Sequence, residues 1–283
     1  LLKEKREPVR VLDIKPFPPD EPLQPDEMMV GSILNPDDLT AAMQGCRKVY
    51  HLAANPQLWH RRPAVFDRVN RQGTENVVAA AAAAAVDRLV YTSTESILAP
   101  RKHKGPVTEA VQTSEADMIG PYCRSKYFAE RRVAELAEAG FPAIIVNPTM
   151  PLGPFDRNLT PPGKMIREFL QGKIKGYMDG SFNLVDVRDA ALGHFLAMQK
   201  GVPGRRYILA GHNMTVKAFL EQLAAPAGRP APAFRVPFIA ALAFAWMEEG
   251  FGFLTGRPPL SSVAGVRLCR RSLAFDGRRT RRE

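Results

Sequence analysis

Tyr122 and Lys126 stand four residues apart in a stretch that reads as helix over 122–139, so both side chains fall on one face. An ordinary tyrosine, with a pKa near ~10, is a poor base at neutral pH, and a nearby ammonium favours its phenolate. The pair would therefore serve as a general acid/base. Spacing alone is a weak signal, but its context strengthens it. Upstream, a β-branched run ends in Tyr91-Thr92-Ser93-Thr94, which sets hydroxyls at the carboxyl end of a strand, where open α/β sheets bind ligands. Ser93 or Thr94 would there hydrogen-bond an oxygen being oxidised or reduced; strand-end capping is the ordinary use of the same hydroxyls.

The elements that must position these groups alternate in type. Runs at 9–13 (VRVLD), 48–53 (KVYHLA), 88–93 (RLVYTS) and 143–147 (AIIVN) read as buried strands. Helical patterns separate them: 35–44, with Asn35 as N-cap and Pro36 in the first turn; 66–85, closing in seven alanines suited to close packing on a sheet; and 122–139. Strands alternating with helices imply a parallel sheet covered on both faces, an α/β doubly wound fold. Residues 1–150 would form this main domain. After residue 150 the chain loosens into Pro- and Gly-rich loops, then resumes as short elements near 183–187 and 206–210 and helices after Thr215. Residues 151–283 would be mostly a smaller substrate lobe, with some elements returning to the main domain.

Lys and Arg number 39 against 29 Asp and Glu, a formal net charge of +10. An acidic partner is implied, and a phosphorylated small molecule fits the fold better than nucleic acid or anionic lipid. The arginines crowded at 267, 270, 271, 278, 279, 281 and 282 read as a solvated face or frayed tail. Cys46, Cys123 and Cys269 suggest neither a disulfide framework nor a zinc site, and His60, His103, His194 and His212 share no ligand spacing, so no metal is expected. A reducing cytoplasm suits the thiols. The apolar run at 236–247 is interrupted by Glu248 and Glu249; it reads as a buried helix too short to span a bilayer, with a peripheral membrane contact through Phe238, Phe244 and Trp246 as the alternative.

Five blocks then stand in order: VYHLAAN at 49–55, VNRQGTENV at 69–77, RLVYTSTES at 88–96, PYCRSK at 121–126 and NPTMPLGP at 147–154. On these the chain resembles the extended short-chain dehydrogenase/reductases, the NAD-dependent epimerase/dehydratase family with its Rossmann-like fold. Three longer stretches, 117–130, 147–164 and 205–215, look most like the hopanoid-associated sugar epimerases, relatives of dihydroflavonol 4-reductases.

The resemblance implies that Tyr122 is the catalytic acid/base, that Lys126 holds the nicotinamide ribose and lowers the phenol's pKa, and that Thr94, with Ser93 beside it, orients the substrate oxygen. Asp13 would accept the adenosine ribose hydroxyls and favour NAD, while Lys15 keeps NADP as an alternative. His51, Ala53 and Ala54 would line the cofactor, Asn70 would support the active-site helix, and Asn147 and Pro148 would close over the nicotinamide side. Trp59, Glu95 and Arg157 are the substrate candidates: a ring to stack, a spare acid, and a cation for a phosphate. The implied activity is epimerisation of a sugar or sugar-nucleotide substrate by transient hydride transfer. The alternatives are a reductase of dihydroflavonol or hydroxysteroid type, or a non-catalytic fragment. A homodimer through the helices at 122–139 and 66–85 is the implied assembly.

The family begins with a strand and a glycine-rich turn that holds the cofactor pyrophosphate at a helix N-terminus. Neither is found here; the opening LLKEKREPVRVLD reads as the tail of the helix that would follow, so the chain is expected to be shortened at both ends and to lack a strand from the middle of its sheet.

Overall fold

The structure, a computed structural model, describes residues 1–21, 24–156, 159–271 and 274–283. From the N-terminus come β1 (Arg10–Asp13), β2 (Glu27–Val30), α1 (Pro36–Met43) and β3 (Lys48–His51). A short α2 (Ala64–Phe66) runs through a π-helical stretch, Asp67–Gln72, into α3 (Gly73–Ala83). Then follow β4 (Arg88–Thr92), α4 (Gly120–Glu138), β5 (Ala143–Pro148), β6 (Met150–Leu152), α5 (Pro161–Leu170), β7 (Gly176–Tyr177), β8 (Ser181–Asp186), α6 (Val187–Lys200) and β9 (Arg206–Leu209). The last elements are β10 (His212–Thr215), α7 (Val216–Ala227), β11 (Phe234–Arg235), α8 (Phe238–Thr255), α9 (Val263–Arg270) and α10 (Arg278–Arg282).

The main sheet has the order β3-β4-β5-β9, every pair parallel. Its strands are apolar on both faces because helices cover both. Leu89, Tyr91, Ala143 and Ile145 pack with Val77 and Val78 of α3 and with Ala129 and Val133 of α4. The alternate residues Val90, Ile144 and Val146 face Ala197 and Met198 of α6. This period-2 split of an unbroken apolar run is the α/β doubly wound arrangement. The second half of the chain contributes β9 and α6 to it, and builds beside it a sheet of order β10-β8-β6. That smaller sheet shares a core with α5 and α7 through Phe169, Phe182, Leu184, Phe219 and Leu220.

The parallel pair β1–β2 forms a separate two-stranded sheet. Leu12 of β1 and Val49 of β3 pack on the same core, yet the two strands share no ladder. The break falls where the family resemblance puts a further strand. Strand β2 escaped the sequence reading because its four residues, Glu27-Met28-Met29-Val30, are only half-buried and follow a proline-rich stretch.

Local chemistry sets the helix ends. Asn35 Oδ1 accepts from Asp37 N at 3.1 Å and Pro36 opens α1. The alanine run behaves differently from expectation: of its seven residues only Ala81 is fully buried, and the helix stops at Ala83 because Ala85 takes a positive φ of 50°. The opening residues make one turn, with Lys5 N bonded to Leu1 O at 3.0 Å, that ends at Arg6 with φ 58°.

Two further expectations are corrected. Of the two readings of the arginine-rich C-terminal stretch, the solvated face holds for Arg267, Arg270, Arg278, Arg279, Arg281 and Arg282, which are exposed, and the frayed tail does not. Phe275 is buried, Arg271 donates to Ala99 O at 2.9 Å and to Asp117 O, and Arg278 pairs with Asp276, so the segment is tied to the loop before α4. Nor is the apolar segment after residue 236 a short buried helix: α8 runs 18 residues, passes through Glu248 and Glu249, and exposes most of its surface. By length and composition alone it is long and apolar enough to cross a membrane.

Gly211, between β9 and β10, approaches β8 so closely that a Cβ would collide with Leu184 O and Val185 Cα, while its amide donates to Asn183 Oδ1 at 2.8 Å. Backbone cannot yield as a side-chain tip can. Gly211→Ala is expected to cost roughly 2–3 kcal/mol in urea unfolding, with the loss falling on the β6–β8–β10 lobe.

Candidate active site

Strand β4 delivers Ser93 and Thr94 just past its end, and α4 begins at Gly120, whose φ of 74° turns the chain so that Pro121 and Tyr122 occupy its first turn. Phe66 of α2 meets the Tyr122 ring edge-on, with centroids 6.5 Å apart. Burial pushes the Tyr122 phenol well above its ordinary pKa; the Thr94 hydroxyl opposes that shift and the nearby Glu95 adds to it. Thr94 Oγ1 donates to Glu95 Oε2 at 2.9 Å and lies 3.0 Å from Ser96 Oγ. Burial likewise raises the Glu95 carboxyl. Tyr122, Thr94 and Glu95 thus form one cluster in which both acids are held toward their protonated forms.

Lys126, one turn along α4, is 2% exposed. Its Nζ donates to Thr92 O at 2.7 Å and stands 4.4 Å over the Tyr91 ring. Burial drives its pKa down to about 7, against the opposing pull of Glu130. The strand carbonyl and aromatic face draw Lys126 toward β4, while the phenol's protonation is set first by burial, with Thr94 opposing and Glu95 adding to the shift.

A group missed by sequence reasoning lies behind the lysine. Glu130, 2% exposed, pairs with Arg206 of β9, whose Nε is 2.8 Å from Oε1. Its Oε2 accepts from Asn147 Nδ2 at 2.7 Å, and that same amide donates to Thr94 O at 3.1 Å. Asn147 is fully buried and braces the Thr94 backbone against α4, with half-buried Pro148 following it. The signal available in the sequence was the four-residue step from Lys126 to Glu130 on an otherwise apolar helix face.

The π-helical stretch turns Asn70 inward, where Thr74 Oγ1 bonds its carbonyl at 2.7 Å. Asn70 Oδ1 accepts from Asn55 N at 2.7 Å, and its Nδ2 donates to Asn55 O and to Ser125 Oγ at 3.0 Å. The side chain therefore joins the loop after β3 to α4 beside Lys126. On that loop Ala53 is exposed and Ala54 half-buried, leaving open backbone. His51 is buried against Thr74 Oγ1 at 2.9 Å, and burial lowers its pKa to about 3, so the ring is neutral.

The remaining candidates are scattered. Asp13 is exposed at the end of β1, its carboxylate accepting from Lys15 N at 2.9 Å. Trp59 is committed to packing, edge-on to Phe253 of α8 at 5.4 Å, with its indole nitrogen buried and unbonded among the described residues. Arg157 lies outside the described residues.

The residues present fit the two ends of a nicotinamide dinucleotide. Ser93 Oγ, one residue past the Thr92 carbonyl that holds Lys126, is buried and unbonded among the described residues, leaving hydrogen-bonding capacity at the β4 end, and Asp13 is open for ribose hydroxyls. For the pyrophosphate these 283 residues contain no glycine-rich turn.

The model of the NAD dependent epimerase/dehydratase family matches residues 1–210, and this chain belongs to that family. It is 37% identical over 256 residues to a putative dihydroflavonol 4-reductase of Synechocystis, covering 89% of this chain and 74% of that protein. It is 30% identical to a 2-alkyl-3-oxoalkanoate reductase of Stenotrophomonas maltophilia, covering 84% and 75%. Among solved structures, that of gox2253 covers all of this chain and 86% of its own, with a TM-score of 0.83 at 31% identity. The chain is accordingly an enzyme of NAD-dependent epimerase, dehydratase or reductase type, with NAD as the family's cofactor.

Proposed function

We propose that this chain oxidises and re-reduces one secondary hydroxyl of a sugar-derived substrate, an epimerisation with no net change in cofactor. The observation that carries the oxidation–reduction is the convergence of Tyr122, Thr94 and Lys126 at the end of β4. NAD, when bound, supplies the hydride acceptor and donor. Thr94 positions the substrate oxygen; the Tyr122 phenol first gives up its own proton to solvent, a step its burial makes costly, and the phenolate then takes the substrate hydroxyl's proton as the C–H bond is broken and returns it to that oxygen when the hydride comes back. Inversion follows when the ketone presents its other face. The sugar reading is supported by the segments at 117–130 and 205–215 that look like sugar epimerases; a hopanoid setting rests on the same likeness.

A second reading, net reduction of a ketone, is favoured by the Tyr122 phenol being held in its acid form, ready to protonate an alkoxide, and by the names of the two reductase relatives.

Cofactor balance separates the two. Candidate sugars incubated with the chain and catalytic NAD should exchange configuration by proton NMR with no accumulation of NADH. Stoichiometric consumption of NADH or NADPH by a ketone, without epimerised product, would replace the epimerase reading by the reductase one. In either case Tyr122→Phe should lower turnover by roughly 10²–10⁴-fold at unchanged thermal stability.

A further inference from the structure

We infer that Glu95 is a positioning residue: as a neutral acid it donates its carboxyl proton to Thr94 Oγ1, which leaves the one Thr94 proton free for the substrate oxygen. The inference rests on the oxidation–reduction roles given above to Thr94 and Tyr122. A hydroxyl has a single proton and two lone pairs. Thr94 is the N-cap of the short turn Glu95–Ile97, and its Oγ1 already accepts from Ser96 N at 3.3 Å. Glu95 Oε2 is 2.9 Å from the same Oγ1, a contact that holds one proton. If that proton belongs to Thr94, the hydroxyl has none left and turns a lone pair toward the substrate. If it belongs to Glu95, the second lone pair of Oγ1 is filled and the Thr94 proton points outward. Ser96 Oγ, 3.0 Å from Oγ1, is supplied by the Cys123 thiol at 3.5 Å and does not depend on Thr94.

The surroundings of Glu95 suit the acid form. Among the described residues no lysine or arginine pairs with it, and burial raises its carboxyl above the ordinary value. The titratable groups facing it come from α4: the Tyr122 phenol and the Cys123 thiol, each of which an ionised Glu95 holds protonated. Arg271 of the C-terminal segment acts on Cys123 and spends its hydrogens on Ala99 O and Asp117 O. Lys126 is turned to Thr92 O. The oxygen of a ketone that receives hydride needs donors, and Tyr122 and Thr94 supply two when Glu95 is neutral. Ionised, Glu95 would reverse Thr94 and set a negative charge beside the alkoxide as it forms. Activity should therefore be lost as pH rises through the Glu95 value.

The first test needs no substrate. The infrared difference between the full chain and Glu95→Gln, titrated upward from acid, should contain the carbonyl stretch of a protonated carboxyl that persists above the ordinary carboxylate range. The band should move in Thr94→Val, which removes its acceptor. A band that disappears within the ordinary range, or that ignores Thr94→Val, overturns the inference. The second test follows reduction of phenanthrenequinone by NADH. On the acid side Glu95→Leu should lower kcat about tenfold at little changed KM, the worth of one oriented hydrogen bond, and Glu95→Gln, whose amide still donates to Thr94, should restore most of that loss. Lys126, with its pKa of about 7, adds a limb common to all three proteins. The mark of Glu95 is an additional decline with pH in the parent, centred where the infrared band disappears and missing from Glu95→Gln. Identical profiles, or a Glu95→Gln as slow as Glu95→Leu, overturn the inference. A chain that shows the infrared behaviour yet reduces nothing would uphold the proton arrangement and remove the oxidoreductase reading of Tyr122 and Thr94 instead.

Discussion

Lys126→Met is expected to yield a chain that is inactive and more stable than the parent. A buried ammonium whose pKa has fallen to about 7 opposes folding at every pH where the unfolded lysine is charged. Methionine removes that penalty while filling similar space, at the loss of the Thr92 carbonyl bond and the contact with the Tyr91 ring. The net gain should be on the order of 2 kcal/mol near pH 7, read by urea unfolding. The pH dependence identifies the cause. Between the folded value of about 7 and the unfolded value near ~10.4, the unfolded chain holds a proton that the folded chain has released, so parental stability should climb with pH. The climb should be cleanest from pH ~7 to ~8.5, before the Cys123 thiol, pushed up to about 11 by burial, offsets it. In Lys126→Met the climb should vanish. A variant that is destabilised, or that keeps the parental slope, would show that the lysine is not buried in its uncharged-favouring setting.

Arg206→Leu should have the opposite sign. It strips Glu130, almost wholly buried, of its counter-charge and leaves the Asn147 amide as the carboxylate's remaining hydrogen-bond partner. Breaking a buried ion pair from one side costs roughly 3–5 kcal/mol, whereas replacing both members with apolar groups is often near neutral. Arg206→Leu alone should therefore lower the urea midpoint sharply, and Arg206→Leu/Glu130→Leu should recover most of the loss. Equal loss in the single and double variants would mean that the cost lies in packing between β9 and α4 rather than in an unpaired charge.

The site was legible in the sequence to the extent that its chemistry is local. The Tyr122–Lys126 spacing and the hydroxyls after Tyr91 could be read because a helix repeats every four residues and a strand ends where its β-branched run ends. The same rules located β1, β3, β4 and β5 and capped α1 at Asn35. What escaped was non-local. Nothing near Glu130 announces Arg206, 76 residues onward. Spacing likewise shows which groups share a helix face, not which neighbouring carbonyl the flexible stem of Lys126 prefers. The π-helical register that aims Asn70 inward has no composition signature, and α8 was misjudged because its apolar residues all but surround the helix, a pattern shared by core helices and by helices with an outside partner.

The division of the sheet bears on how tightly different parts of the chain guard their backbone amides. Strands β4 and β5 are hydrogen-bonded on both sides and sandwiched between helices, so their protons should exchange with solvent only when the whole domain opens. The β1–β2 pair has a single ladder of four residues and half-exposed side chains. It should open locally, orders of magnitude more often, while the rest of the domain stays closed. Asp13 rides on that pair. A dinucleotide that reached from Tyr122 to Asp13 would link the slowest-exchanging region to the fastest, and its arrival would register as deuterium protection appearing at residues 10–13 and 27–30.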